Sequence, residues 1–399
     1  MFTEVQIENY KSIQSLKINL GRINVFIGEN GCGKSNILEA IALAGAAAGN
    51  KLDNEFLAPR GIRVTEPEFM RSAFDKGNLS KEIKISLKRD EKIILKYIIQ
   101  NDNADYSKWK NVQDFNNYTQ LPDKFKEDIW GIFVDFLVTY SHNSTLPANS
   151  LSTLITPDET NFSADKDINQ LMTNLSHGLD LKDFLIYSPE NSLLRTFVEE
   201  GQIQPLGNKG EGLLKLLRVL SNTPEKIDEI KQKLELIDWF DDFKLHQDSD
   251  IERTIQIKDR YLDKELPYFN QRSSNEGFLF LMFYFALFVS DDTPKFFAID
   301  NIENALNPKL CTRLIQELVE LAKKPDYDKQ VIFTTHNPAI LDGLDLHDDE
   351  QRLFTIYRNI DGHTKAKRVY APEPLDDDDP VPLSEAFMNG YIGGLPNNF

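Results

Sequence analysis

The chain has 399 residues, a formal net charge of −18, 41% hydrophobic residues and only two cysteines. That length carries a large core and about two domains, or one domain with a large insertion, while the charge argues against nucleic-acid binding through the overall field and leaves only a local basic patch for it. The cysteine count argues against structural disulfides and fits a reducing cytoplasm; the apolar run 278–289 is too short to span a bilayer, and the N-terminus lacks the blocks of a signal peptide, so no membrane association is expected.

Residues 2–20 alternate apolar and polar positions on both sides of Lys11-Ser12-Ile13, which predicts two strands around a turn. Ile23–Ile27 is an apolar stretch that reads as a buried strand. It runs into Gly28-Glu29-Asn30-Gly31-Cys32-Gly33-Lys34-Ser35, which fits the phosphate-binding pattern G-x-x-x-x-G-K-[ST]. Residues 35–48, rich in Ala, Leu and Ile, then predict a helix. A strand, a glycine loop and a helix start form an anion site, because backbone N–H groups point inward and the helix dipole favours phosphate oxygens. Gly28, Asn30, Gly31, Gly33 and Asn36 are expected to surround the nucleotide. Lys34 is expected on the outer phosphates, and the Ser35 hydroxyl on Mg²⁺. ATP with Mg²⁺ is the expected ligand.

Residues 82–100 alternate again around Asp90-Glu91 and predict a hairpin. The N-terminal lobe, 1–100, therefore reads as a mixed sheet around the phosphate loop. Residues 101–250 read as a mostly helical insertion, with 133–140 and 184–187 as candidate strands. Residues 210–220 and 224–240 read as helices, the second with Pro224 at its first position and Ile227, Ile230, Leu234 and Ile237 on one face. No heptad pattern is long enough for an extended coiled coil, and no internal repeat is visible. The C-terminal lobe, 251–399, alternates strand and helix. Strands are expected at 251–257, 295–300, 330–335, 353–358 and 366–370, a buried helix at 277–290, and an amphipathic helix at 310–322. The fold class is α/β, a largely parallel or mixed sheet with helices on both faces.

Asp300 ends an apolar strand, as an acid that orients Mg²⁺ would. It opens Asp300-Asn301-Ile302-Glu303-Asn304-Ala305-Leu306-Asn307-Pro308. With the phosphate loop and Thr334-Thr335-His336-Asn337-Pro338, this segment resembles the ATP-binding-cassette (ABC) ATPase superfamily. The similarity is to its soluble SMC- and RecF-like branch, and there to the AAA-type ATPases of bacterial anti-phage systems. It covers about residues 1–50 and 250–345. The resemblance implies an ABC-ATPase-like fold, a metal-orienting role for Asp300 and a γ-phosphate contact for His336. It implies a loop, 304–307, that crosses to a second subunit. Arg272-Ser273-Ser274-Asn275-Glu276-Gly277 stands where the family has its signature segment, although the order of serine and glycines differs. Ser274 and Gly277 are carried over as the residues that cap the other subunit's nucleotide. Asn9-Tyr10-Lys11-Ser12 resembles the segment leading into the phosphate loop, with Lys11 as a candidate phosphate ligand. Gln202 and Gln204 are candidates for the family's glutamine. Asn301 stands where the family has its catalytic glutamate. An amide cannot accept a proton from the attacking water, so slow hydrolysis is expected unless Glu303, two residues on along an extended chain, takes that role.

The resemblance implies a homodimer or higher oligomer with shared ATP sites. The sequence shows no nuclease pattern, so the expected role is a sensor or scaffold for a separate effector, a nuclease, in anti-phage defence. The alternative is a RecF-like repair ATPase that contacts DNA directly. Lys81, Lys84, Lys88, Arg89, Lys92 and Lys96 along the 82–100 hairpin keep that alternative open. The acidic run Asp376-Asp377-Asp378-Asp379 and the glycine-rich end near 390–394 read as solvated segments or partner-docking strips.

Overall fold

The computed structural model describes residues 1–89, 93–112, 180–197, 205–245, 254–371 and 381–395. Met1–Asn111 and Asn174–Phe399 form one compact unit, and the second unit, Val112–Thr173, lies outside the described residues except for Val112. The candidate strand at 133–140, Gln202, Gln204, Lys92 and the acidic run 376–379 also lie outside them.

Two sheets position the site. The first has five strands in the order Ile13–Asn19, Phe2–Tyr10, Ile83–Arg89, Ile93–Gln100, Lys110–Asn111. Every pair in it is antiparallel. The second has six strands in the order Thr364–Val369, Gln351–Arg358, Ile23–Ile27, Gln330–Thr335, Phe296–Ile299, Ile186–Tyr187. Its strands pair in parallel except at the edge, where Thr364–Val369 runs antiparallel to its neighbour. This corrects the expectation of one mixed N-terminal sheet around the phosphate loop. The strand before the loop belongs to the second sheet, between strands from the far end of the chain.

The central strands are apolar throughout because both of their faces are covered. Ile23, Val25, Ile27, Phe297, Ile299, Val331 and Phe333 join one core, with Leu213–Leu220, Pro224–Leu234, Glu276–Val289 and Pro308–Lys323. Phe26, Phe296, Ala298, Ile332 and Phe354 join the other, with helix Lys34–Ala48 and the inner face of the five-stranded sheet. The period-two alternation of strands decides which side chain enters which core. Helix Glu276–Val289 is buried from Phe278 to Val289, as a helix apolar on every side must be. Gln330 ties the two sheets together, its amide donating to the carbonyls of Phe2 and Gly21 at 2.6 and 2.8 Å and accepting from Phe2 N at 2.8 Å.

The helix expected at 224–240 ends at Leu234, and Phe240 opens a strand, Phe240–Leu245. That strand forms a separate antiparallel sheet with Ile255–Asp259 and Tyr268–Asn270. Ile230, Leu234 and Ile237 are nevertheless buried in the first core, and Ile227 packs against it.

Lys329 is 1% exposed, and its ammonium donates to the carbonyls of Ser290, Thr293 and Pro294 and to the Thr293 hydroxyl. Burial pulls its pKa down to about 7. The folded pKa then lies below the unfolded one, near 10.4, so the unfolded chain binds more protons between these values and stability rises with pH across that window. Urea unfolding at pH 7 and pH 9 should show the wild type gaining about 2 kcal/mol more than Lys329→Met over this interval. An equal gain in both proteins would show that Lys329 does not titrate there.

Candidate functional site

The phosphate loop leaves strand Ile23–Ile27 and closes on helix Lys34–Ala48, with Gly31 at φ 75 and Gly33 at φ 110. These left-handed conformations suit glycine. Close approach adds a second constraint. A Cβ on Gly28 would lie 2.1 Å from the Ile356 carbonyl oxygen, and one on Gly33 would lie 2.0 Å from Thr364 Oγ1. The hairpin that carries these contacts also holds the loop's rim. Arg358 Nε donates to the Gly31 carbonyl at 2.9 Å, and Thr364 Oγ1 donates to the Cys32 carbonyl at 2.8 Å.

Lys34 is 5% exposed and folds its ammonium over the loop, donating to the carbonyls of Gly28 at 2.9 Å and Glu29 at 3.0 Å. Burial lowers its pKa, against the opposing pull of Cys32, Asp300 and Glu303. His336, at the end of strand Gln330–Thr335, places Nδ1 3.4 Å from the Lys34 ammonium. Burial and then the Lys34 charge lower the imidazole pKa, which favours the neutral ring at neutral pH.

Asp300 follows strand Phe296–Ile299 and faces the first turn of the helix. Its carboxylate accepts from Ser35 Oγ at 3.1 and 3.3 Å and from Thr334 Oγ1 at 2.5 Å. A hydroxyl and a carboxylate this close form a hard-oxygen pair that fits Mg²⁺, which draws its remaining ligands from phosphate and water. Asn30 is exposed at the loop's tip. Asn36 points toward the N-terminal turn, donating to Ser12 Oγ at 2.6 Å.

The chain after Asp300 is a turn, with Asn301 at φ 54 and Ala305 at φ 62. This corrects the extended-chain argument that placed Asn301 and Glu303 on one side. Asn301 donates its N–H to Thr334 Oγ1 at 2.9 Å. Glu303 Oε1 accepts the His336 N–H at 2.7 Å, while Oε2 is enclosed without a hydrogen-bond partner.

At the signature-like segment, Asn275 caps helix Glu276–Val289, its side chain accepting from Phe278 N at 2.8 Å. Ser274, which is 3% exposed, is therefore not the cap, and its hydroxyl has no partner. Gly277 lets the Ala305 carbonyl approach to 3.0 Å from where a Cβ would stand, so this helix start rests on the loop that follows Asp300. Lys11, the candidate phosphate ligand, is held by two neighbours. Its ammonium pairs with the buried Glu39 and donates to the Arg63 carbonyl at 2.8 Å. Glu39, Arg63, Arg358 and Thr364 escaped the sequence reading. The one available signal was an acid, Glu39, in an otherwise apolar helix segment.

The profile of one family, described as "AAA domain, putative AbiEii toxin, Type IV TA system", matches residues 23–342. The chain belongs to this family. Its fold is that of an SMC head, since a solved SMC head bound to the C-winged helix domain of ScpA aligns over 92% of this chain and 98% of its own, at 14% identity and a TM-score of 0.51. Two proteins named DNA replication and repair protein RecF match shorter stretches. The one from Bacillus cereus (strain G9842) is 31% identical over 118 residues, 28% of this chain and 30% of its own length. The one from Bacillus mycoides (strain KBAB4) is 37% identical over 54 residues, 13% of this chain and 14% of its own length. The chain thus spans less than a third of the length of these curated relatives. By family the chain carries an AAA domain, and by fold it is similar to an SMC head.

Gly33→Ala should cost about 2–3 kcal/mol, since it combines an unfavourable φ with a collision. Gly31→Ala, whose Cβ meets nothing within 4 Å, should cost about 1 kcal/mol. Denaturant midpoints of the two variants check this order, and equal losses would mean that contact with Thr364 is not what fixes the loop.

Proposed function

We propose that this protein binds ATP with Mg²⁺, hydrolyses it slowly, and uses the bound nucleotide to hold two copies head to tail. The observation that carries the reading is the convergence of Lys34, Ser35, Asp300 and His336 on one helix N-terminus. The Lys34 ammonium exchanges its two loop carbonyls for phosphate oxygens. Ser35 and Asp300 would hold Mg²⁺, which would supply positive charge against the phosphates. His336 contacts the γ-phosphate. The exposed start of helix Glu276–Val289 supports the second half of the reading, in which Gly277 and, once its enclosed hydroxyl is uncovered, Ser274 cap the nucleotide of the partner copy.

Slow turnover follows from the acids. Asn301 offers no base. Glu303 already supports the His336 backbone through one oxygen, and its other oxygen is enclosed. A carboxylate with one oxygen enclosed and the other accepting a backbone N–H is poorly placed to take a proton from water. Glu303 thus acts here through His336, as a strut.

A clamp of this kind serves as a cytoplasmic sensor or scaffold for a separate effector, a nuclease in anti-phage defence. The toxin–antitoxin description of the family supports that setting. Among the described residues no helix is long and apolar enough to cross a membrane. The second reading, a RecF-like ATPase that binds DNA itself, is favoured by the relatives' names and by one surface. Lys84, Lys88 and Lys96 sit on the outward side of the five-stranded sheet, whereas Arg89 is taken up by Asp180.

ATP turnover, bound-nucleotide content and mass in solution test the reading for the wild type and Lys34→Ala. The wild type should retain ATP and assemble, and the variant should do neither. Placing a carboxylate there with Asn301→Glu should raise turnover at least tenfold, a decade below the roughly 10²–10⁴-fold range of a well-positioned base. Fast, DNA-stimulated turnover in the wild type would instead establish the second reading.

A further inference from the structure

The mouth of the phosphate loop is organised around a buried acid. Glu39 lies on helix Lys34–Ala48 with its side chain 1% exposed. Its carboxylate accepts from the Tyr10 hydroxyl at 3.2 Å, from Arg63 Nε at 2.5 Å and from the Lys11 ammonium. Lys11 enters from a left-handed backbone, φ 44, a conformation that costs a non-glycine residue energy and persists only where the surroundings impose it.

From Glu39 a chain of hydrogen bonds runs to the phosphate loop itself. Arg63 donates through its terminal nitrogen to Asn36 Oδ1 at 3.0 Å, and Asn36 donates to Ser12 Oγ at 2.6 Å. Ser12 Oγ meets Thr364 Oγ1 at 2.7 Å, and Thr364 donates to the Cys32 carbonyl at 2.8 Å. Lys11, Ser12, Asn36 and Arg63 also line a cavity of about 410 Å³.

Lysine and arginine side chains are long and lose much rotamer freedom when fixed, so two cations at a cavity mouth need an anchor to be in place before a ligand arrives. Glu39 is such an anchor, and it is also a constraint, because a buried carboxylate stripped of its cations is strongly disfavoured. Neither cation is used up. Lys11 has three N–H groups and spends two, while Arg63 has five and spends two.

We propose that Glu39 is a positioning residue of the nucleotide site, holding Lys11 and Arg63 at the mouth of the phosphate loop so that their free N–H groups meet the phosphates and sugar of a bound nucleoside triphosphate. This rests on the ATP reading above. A glutamine cannot substitute, because its one acceptor serves a single cation and its NH₂ group faces the other.

The test is the affinity for Mg·ATP measured by calorimetry. Glu39→Gln should weaken binding about tenfold, or about 1.4 kcal/mol. In the Lys11→Ala/Arg63→Ala background the same change should move affinity less than twofold, because nothing is left to position. Equal losses in both backgrounds would reveal a purely structural acid and overturn the proposal. So would unchanged affinity in Glu39→Gln while Lys34→Ala abolishes binding, an outcome that leaves the ATP reading intact. Absence of Mg·ATP binding in the wild type would instead overturn the ATP reading and this proposal with it. Should Glu39→Gln not fold, Lys11→Met, Arg63→Met and their double variant supply the cycle. Cations sharing one anchor should lose less together than the sum of their separate losses, and strict additivity would overturn the proposal.

Discussion

The site depends on a contact that two glycines permit. Gly28 and Gly33 let the hairpin between Gln351–Arg358 and Thr364–Val369 lie directly on the phosphate loop, with Ile356 and Thr364 occupying the space that side chains would fill. The loop is thereby clasped from outside, by Arg358 and Thr364 on its carbonyls, while Lys34 holds it from inside. A loop fixed from both sides keeps its N–H groups pointed at the anion position without needing the anion to arrange them. That is preorganisation, and it lowers the ordering cost of binding.

The same logic runs through the second half of the site. Asp300 is held by Thr334 from the adjacent strand and by Ser35 from the helix, so three segments meet at one carboxylate. Glu303 and the His336 N–H then tie the loop after one strand to the loop after the next. The Ala305 carbonyl against Gly277 carries this connection on to the start of helix Glu276–Val289. Movement at the phosphate end therefore meets a continuous set of contacts leading to the surface that the proposed partner copy would face.

The parts of this arrangement legible in the sequence are those whose chemistry is local. The glycine spacing, the apolar strand ending in Asp300 and the Thr-Thr-His end of the next strand each carry their meaning within a few residues. Strand partnership is not local, and the division into two sheets was therefore invisible: nothing in Ile23–Ile27 says that its neighbours are Gln330–Thr335 and Gln351–Arg358. Strand Phe240–Leu245 was missed for another reason. A register shift between Phe240 and Asp242 breaks the period-two pattern, so Phe240 and Phe243 fall at a helix-like spacing. Glu39, Arg63 and Thr364 form a network only after distant segments meet. Asn301 and Glu303 show the limit from the other side, since an identified pair of residues was placed by an extended geometry that the turn at Asn301 does not adopt.

The register of the central strand has a consequence for how the molecule is made. Ile23–Ile27 leaves the ribosome before both of its hydrogen-bonding neighbours, which come more than 300 residues later. Until they arrive, an apolar strand with two open edges must wait, which is the situation in which nascent chains aggregate or recruit chaperones. The nucleotide pocket correspondingly forms well after the phosphate loop is made, because Asp300, His336 and Thr364 all lie downstream. Nucleotide capture would thus require the chain through Thr364: a product cut short before it keeps the whole glycine motif and still lacks walls of the site.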